Sequence, residues 1–318
     1  MGRLTIFTIN GAYLNQGVVT INSYLRHNPD DEVMVFATTA TQNALKYKEV
    51  LSKYKVSVVL LEPNDTSWFP NSYFCPIEVE GMCLRLKAID YLAEHRPDVS
   101  RLFYLDSDIV VRTSLAGIWN APLDNSYVAA ALDYQRVQEM PNLYRKHFDW
   151  NRRMSLNRNY FNSGVMMLNL DLIRQDFPQG IANGFIESYD GRWILPDQDY
   201  LNKILSRKPT VILPRVFNWM PELLVAEAMS AVTLLQDRVA AYHTARVMHF
   251  AGKLKPWVAF TGAIPREVFA HIRYDVYYKA CNEAVEEVGC IDTRFLYACR
   301  DNHDNYAFIG RIVGDLLE

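Results

Sequence analysis

Through its first hundred residues the chain alternates short apolar runs with helix-length amphipathic stretches, and this alternation constrains the fold more than any other feature. Residues 4–9, 33–37, 56–61 and 102–105 are the apolar runs, and residues 16–26, 41–53 and 81–95 between them have helical spacing. Strands alternating with helices of this length indicate βαβ units and a mostly parallel sheet. Runs with little polar interruption fit strands covered on both faces. Further on, residues 127–132 and 164–170 are strand candidates, residues 172–188 and 198–205 look helical, and the last fifty residues read as helices. Residues 62–76 contain three prolines and no periodicity, so they read as a long loop. Its Trp68, Phe69, Tyr73 and Phe74 suit a ligand cover as well as ordinary surface packing. The prediction is an α/β fold with a mixed, mainly parallel sheet: residues 1–257 as the main domain, residues 258–318 as a helical extension packed on it.

The fourth run ends in Tyr104-Leu105-Asp106-Ser107-Asp108. Side chains alternate along a strand, so the two carboxylates point the same way. Held together they repel, and a hard divalent cation relieves that repulsion. An ordinary strand-to-loop turn also favours aspartate, so the pair needs company to signify a metal. In open α/β sheets ligands sit beyond the carboxyl ends of the strands. Asn10, after the first run, is at such an end. Neither a Gly-x-Gly-x-x-Gly turn after the first strand nor a P-loop occurs, so the phosphate cradles of dinucleotide and nucleotide-triphosphate folds are missing.

Composition narrows the setting. A formal net charge of −3 over 318 residues does not favour nucleic acid as a partner. The five cysteines form no Cys-x-x-Cys pair and match no zinc module, so they read as reduced thiols. The first strand begins at residue 4 and leaves no space for a leader, so a cytoplasmic location is expected. Residues 258–318 carry six Lys/Arg against ten Asp/Glu, a local charge of −4, which argues against electrostatic docking on an anionic bilayer. A peripheral membrane contact through apolar groups or another protein is left open, and so is the oligomeric state.

Four further segments hold polar residues that a core does not need. In Leu84-Arg85-Leu86-Lys87 both cations could lie on a solvated helix face, and for Lys87 that account is preferred. Phe161-Asn162-Ser163-Gly164 could be a turn entering a strand, and Asp197 in Asp197-Gln198-Asp199 could cap a helix. The last, His249-Phe250-Ala251-Gly252-Lys253-Leu254-Lys255-Pro256-Trp257, follows an apolar strand. A glycine followed closely by lysine suits a diphosphate, because glycine admits close backbone approach and lysine supplies a point charge.

In their order along the chain these segments, with Asn10 and Tyr13 ahead of them, resemble glycosyltransferase family 8, from about residue 4 to residue 257. The family comprises retaining, metal-dependent sugar transferases of the GT-A fold, among them bacterial lipopolysaccharide galactosyl- and glucosyltransferases and the glycogenins. The resemblance implies that Asp106, Asp108 and His249 bind Mn²⁺, a set of carboxylates and imidazole that suits this ion. It implies that Gly252 and Lys255 hold the diphosphate, and that Arg85, Ser107, Thr8, Asn10 and Tyr13 line the donor. Asn162 and Ser163 would lie beside the donor sugar, Asp197 would bind its hydroxyls, and Gln198 would face the anomeric carbon opposite the leaving group. Many members carry Ala-Asp where this chain has Ile9-Asn10; an amide still offers a donor and an acceptor to a base edge. The implied donor is UDP-glucose or UDP-galactose, and the implied acceptor a saccharide, such as a lipopolysaccharide core. Three rivals stand beside this reading: a self-glycosylating, glycogenin-like protein, a non-catalytic nucleotide-sugar binder, and an Asp-x-Asp phosphohydrolase. The last usually carries its aspartates on the first strand, not the fourth.

Overall fold

A computed structural model describes residues 2–10, 13–38, 44–62, 76–133, 157–188, 195–221, 244–251, 255–258, 274–289 and 291–302. Its centre is a seven-stranded sheet of order β3-β2-β1-β4-β7-β6-β8. The strands are β1 (Gly2–Ile9), β2 (Val33–Thr38), β3 (Ser57–Leu61), β4 (Val99–Leu105), β6 (Val128–Leu132), β7 (Phe161–Asn169) and β8 (Val211–Ile212). Only β7 is antiparallel to its neighbours β4 and β6; the other pairs are parallel. The expected mixed, mainly parallel sheet is the observed one. A second, two-stranded sheet pairs β5 (Ile109–Val111) with β9 (Val247–His249).

Alternation along the central strands sorts the core into two layers. Phe7, Ile9, Phe103, Leu105, Val165 and Met167 face α1 (Leu14–His27). Leu4, Ile6, Leu102, Tyr104, Met166 and Leu168 face α3 (Pro76–His95) and the helices that follow β7. Each fully buried large aliphatic or aromatic side chain contributes about 1.5–3 kcal/mol. The short helix α2 (Ala44–Leu51) joins β2 to β3 and adds Val50 and Leu51 to the first layer.

The stretch expected to be one helix over residues 172–188 is two: α4 (Leu170–Asp176) and α5 (Asn183–Glu187). Phe177 is the C-cap of α4 and Pro178, which cannot continue a helix, follows it; Gly180, at φ +83°, then turns the chain with its N–H donating to the Phe177 carbonyl at 2.9 Å. Asn169, expected inside a strand, is the last residue of β7 and caps α4, accepting the Leu172 N–H at 3.1 Å. Helix α6 (Pro196–Leu205) opens with a proline in its first turn, where a missing N–H costs nothing.

The C-terminal part includes α7 (Tyr274–Val288) and a helical segment over residues 293–302. Tyr277, Cys281 and Ala284 join the α1-side layer together with Phe250. Lys53 Nζ donates to the Val288 carbonyl at 2.6 Å, and the Asp292 N–H donates to Asn15 Oδ1 at 3.0 Å. Arg26 pairs with Glu287 at 2.9 Å. Among the described residues no helix is long and apolar enough to cross a membrane. Most of the aromatic loop after β3, residues 63–75, lies outside the described residues.

Candidate active site

Three chain ends meet at one edge of the sheet. Strand β4 delivers Asp106 at its carboxyl end, and the Asp106 N–H donates to the Gly164 carbonyl at 2.8 Å. Because β7 runs the other way, its first residues lie at the same edge. Asp108 immediately precedes β5, and the β5–β9 register sets Ile109 opposite His249. His249 Nε2 lies 3.1 Å from Asp108 Oδ1 and 3.6 Å from Asp106 Oδ2. One ligand atom from each of the three residues lies within 4.8 Å of the others.

The cluster fits a divalent cation on this chain's own geometry. Asp108 Oδ1 is buried and faces Nε2 without an aligned hydrogen bond. A Cβ on Gly164 would come to 2.2 Å from His249 Cε1 and 2.6 Å from Asp106 Oδ2, so only glycine leaves the space. Two carboxylates and one imidazole are a donor set for Mn²⁺ and similar ions. Lys255 Nζ donates to Asp108 Oδ2 at 2.5 Å and to the Phe250 carbonyl at 2.7 Å. Burial alone would push the Asp108 carboxyl up; Lys255 and His249 outweigh it and hold it well below the usual carboxylate range.

Arg85 bridges this corner to α6. It is buried, not solvated, with its guanidinium 3.0 Å from Asp106 Oδ1 and 2.7 Å from Asp197 Oδ2. It also donates to the Ser163 carbonyl and hydroxyl, both at 2.8 Å, and lies over the Tyr104 ring at 4.9 Å. Tyr104 in turn donates to Asp106 Oδ1 at 2.6 Å, with Thr8 Oγ1 2.9 Å from its hydroxyl. Asp197 does not cap α6, whose N-cap is Leu195 with no side-chain cap. Burial pushes the Asp197 carboxyl up to about 6 despite Arg85, and Asp106 adds to the rise. Lys87, by contrast, is half-buried and donates to the Glu62 carbonyl at 2.8 Å.

The third corner is a chain of amides whose orientation backbone donors fix. The Ser163 N–H donates to Gln198 Oε1 at 2.9 Å, which leaves Gln198 Nε2 to donate to Asp133 Oδ2 at 2.6 Å. Asn162 Nδ2 and the Ser163 hydroxyl also reach Gln198 Oε1, at 3.2 and 3.3 Å. The Gly164 N–H donates to Asn162 Oδ1 at 3.0 Å, and Asn218 Nδ2 donates to the same oxygen at 2.9 Å. Tyr160, 3.3 Å from Gln198 Nε2, donates to Asp199 Oδ1.

Of the residues expected at the site, Arg85, Asp106, Asp108, Asn162, Ser163, Asp197, Gln198, His249 and Lys255 form this connected set, with Thr8 joined through Tyr104. Asn10 is buried at the end of β1, where a Cβ on Gly81 of α3 would come to 2.4 Å from Asn10 Nδ2. Tyr13 precedes α1 and meets Trp257 edge-on at 6.1 Å between ring centroids. Ser107 enters through its carbonyl, which accepts the Thr20 hydroxyl at 2.8 Å. Gly252 lies outside the described residues. Sequence reasoning passed over Tyr104, Asp133, Tyr160, Asp199 and Asn218 as site residues. Tyr104 and Asp199 stand inside motifs it did quote, and Tyr160 directly precedes Phe161-Asn162-Ser163-Gly164; Asp133 and Asn218 carry no local signal.

Comparison with known proteins gives a consistent result. The family model for Glycosyl transferase family 8 matches residues 4–261. The chain is 25% identical over 281 residues to a lipopolysaccharide 1,2-glucosyltransferase of Escherichia coli, covering 83% of this chain and 76% of that protein. It is 24% identical over 254 residues to general stress protein A of Bacillus subtilis (strain 168), covering 77% and 82% respectively. Among solved structures, galactosyltransferase LgtC in complex with donor and acceptor sugar analogues superposes with a TM-score of 0.64 at 21% identity. That match covers 88% of this chain and 95% of the other. The glycosyltransferase GlyE of Streptococcus pneumoniae TIGR4 gives a TM-score of 0.57 at 18% identity, over 90% of this chain and 64% of that one.

Proposed function

This chain belongs to glycosyltransferase family 8, and from that membership we propose that it is a retaining, metal-dependent hexosyltransferase that moves glucose or galactose from a UDP-sugar to a saccharide hydroxyl. The proposed acceptor is a lipopolysaccharide core, in keeping with the similarity to lipopolysaccharide 1,2-glucosyltransferases. The observation that carries the proposal is the convergence of Asp106, Asp108 and His249 within 4.8 Å, with Lys255 hydrogen-bonded to one of the aspartates. A divalent cation, proposed as Mn²⁺, would be held by these three residues and would supply positive charge to the departing diphosphate.

The chain's own groups do the rest. Lys255 is an ammonium at the edge of the same cluster, suited to oxygens of the leaving group, with Gly252 proposed beside it. Arg85 holds Asp106 and Asp197 in one arrangement, so the charge corner and the sugar corner move together. Asp197 in its ionised form accepts hydrogen bonds from sugar hydroxyls, which fixes the hexose relative to the diphosphate. Asn162 and Ser163 lie on the same side of the crevice. Thr8, Asn10, Tyr13 and Ser107, at the ends of β1 and β4, line the proposed nucleoside end.

Gln198 is not the nucleophile in this account. Its carbonyl oxygen accepts from the Ser163 N–H, the Asn162 amide and the Ser163 hydroxyl, and an amide carries no negative charge. The proposed route is front-face attack by the acceptor hydroxyl, with a leaving phosphate oxygen accepting its proton. A glycosyl-enzyme trapped on Gln198 or Asp197 would contradict it. Residues 1–257 are proposed as the catalytic domain and residues 258–318 as an extension of it. A cytoplasmic setting is proposed on the three described cysteines, all free and buried.

The test is UDP release over a panel of UDP-sugars with Mn²⁺ present or chelated. The proposal expects release with UDP-glucose or UDP-galactose that stops on chelation. Undiminished release under chelation would remove the metal, and no release from any UDP-sugar would favour the non-catalytic binder.

A further inference from the structure

We infer that Asn218 is a positioning residue that fixes the tautomer of His249, so that Nε2 is the nitrogen presented to the metal. The inference rests on the proposed metal site and adds to it a residue that none of the sequence motifs contains.

Each hydrogen bond in the argument follows from a donor whose direction is fixed. A backbone N–H can only donate, so the Gly164 N–H at 3.0 Å identifies Oδ1 as the oxygen of Asn162. That oxygen also lies 2.9 Å from Asn218 Nδ2, which must then be the donating end of the Asn218 amide. The other end, Asn218 Oδ1, lies 2.9 Å from His249 Nδ1. An amide oxygen only accepts, so Nδ1 carries a proton. In the neutral ring the lone pair is therefore on Nε2, the nitrogen 3.1 Å from Asp108 Oδ1 and 3.6 Å from Asp106 Oδ2. Fixing a ligand histidine through its other ring nitrogen sets both its orientation and its basicity.

The backbone around Asn218 is built to hold this contact. Asn218 is fully buried and caps the short 3₁₀ turn Arg215–Phe217, its N–H donating to the Arg215 carbonyl at 2.9 Å. The next residue, Trp219, forms a parallel bridge with Met248 of β9. The Trp219 N–H donates to the Val247 carbonyl at 2.9 Å, and the His249 N–H donates to the Trp219 carbonyl at 2.8 Å. Asn218 and His249 are thus fixed to each other through main chain on both sides of the side-chain contact.

The same amide joins two parts of the site. Asn162 contacts Gln198 through Nδ2 at 3.2 Å and Asn218 through Oδ1, so the line Gln198–Asn162–Asn218–His249 runs from the proposed sugar face to the proposed metal ligand. Asn218→Leu keeps the number and branching of side-chain heavy atoms and removes both hydrogen bonds.

The tautomer is read directly from the ¹⁵N shifts of His249 in long-range ¹H–¹⁵N spectra of the full chain, treated with chelator at alkaline pH. Wild type is expected to show Nδ1 protonated and Nε2 bare; an Nε2–H tautomer in wild type overturns the inference without any variant. In Asn218→Leu the two tautomers are expected to mix, and Mn²⁺ affinity measured by electron paramagnetic resonance is expected to fall ~10-fold or more, the scale of losing a partner of a metal-bound histidine. A folded Asn218→Leu protein with a pure Nδ1–H tautomer and unchanged Mn²⁺ affinity also overturns it. If wild type has the Nδ1–H tautomer yet binds no Mn²⁺, the metal proposal fails, and with it the role of Asn218 toward a metal.

Discussion

The charge corner and the amide corner of the crevice are built on opposite principles. Asp106, Asp108, Arg85 and Lys255 place formal charges around His249, with Arg85 3.0 Å from Asp106 and Lys255 2.5 Å from Asp108. Asn162, Gln198, Asn218 and Ser163 are neutral and buried, and backbone N–H groups of Ser163 and Gly164 fix their direction. Charged groups buried in a low-dielectric site act strongly on a charged ligand. A fully satisfied amide network acts weakly on charge and defines position well. The difference suits the proposed division of labour, in which one corner would receive the diphosphate and the other would hold the sugar face and keep the histidine in register.

The sharpest way to break this division is to remove a charge from the first corner. Asp108→Ala is expected to abolish metal-dependent UDP release, a loss of at least ~10²–10³-fold by the scale of deleting a preorganised electrostatic group. Full activity in that variant with chelator present would end the distinction. Gly164→Ala attacks the same corner without altering any charge. Its Cβ would fall 2.2 Å from His249 Cε1, so Mn²⁺ affinity, read by calorimetry, is expected to drop ~10-fold or more, as for other disturbed ligand shells.

The amide corner should answer differently. Gln198→Leu removes the bonds that the Ser163 N–H and Asp133 Oδ2 make to Gln198, and the buried Ser163 N–H left unsatisfied costs about 1–3 kcal/mol. A fall in denaturation midpoint should accompany its loss of turnover. If Gln198→Leu lost turnover with unchanged stability, the amide corner would be chemical and not positional. The smallest effect concerns pH. Asp197, its carboxyl pushed up to about 6, is protonated below that value and ionised above it. Donor affinity should therefore rise as pH increases through about 6, and Asp197→Asn should flatten that limb of the profile.

The two corners also differ in how far the sequence discloses them. The parallel strands β1 to β4 announce themselves as apolar runs, and Asp106 and Asp108 follow one of them directly, so half of the charge corner is local. His249 and Lys255 were placed by the family's order of motifs. Asn218 and Asp133 bond to residues 31, 56 and 65 positions away, and no local period encodes such pairings. The three-residue strands β5 and β9, which bring His249 to the aspartates, are too short to give an alternation signal. Arg85 shows the same limit, since helical spacing alone allowed a solvated face, and burial against Asp106 and Asp197 is a property of the assembled site. The break between α4 and α5 was readable in principle from Pro178 and Gly180, but the apolar pattern continues across it.

The central claim is that Asp106, Asp108 and His249 hold one divalent cation at the donor site. Its most direct test is Mn²⁺ binding to wild type and to Asp108→Ala, each with UDP-glucose present, followed by electron paramagnetic resonance. One bound ion per chain in wild type and none in the variant is the predicted result. Equal Mn²⁺ binding by both proteins would contradict the claim.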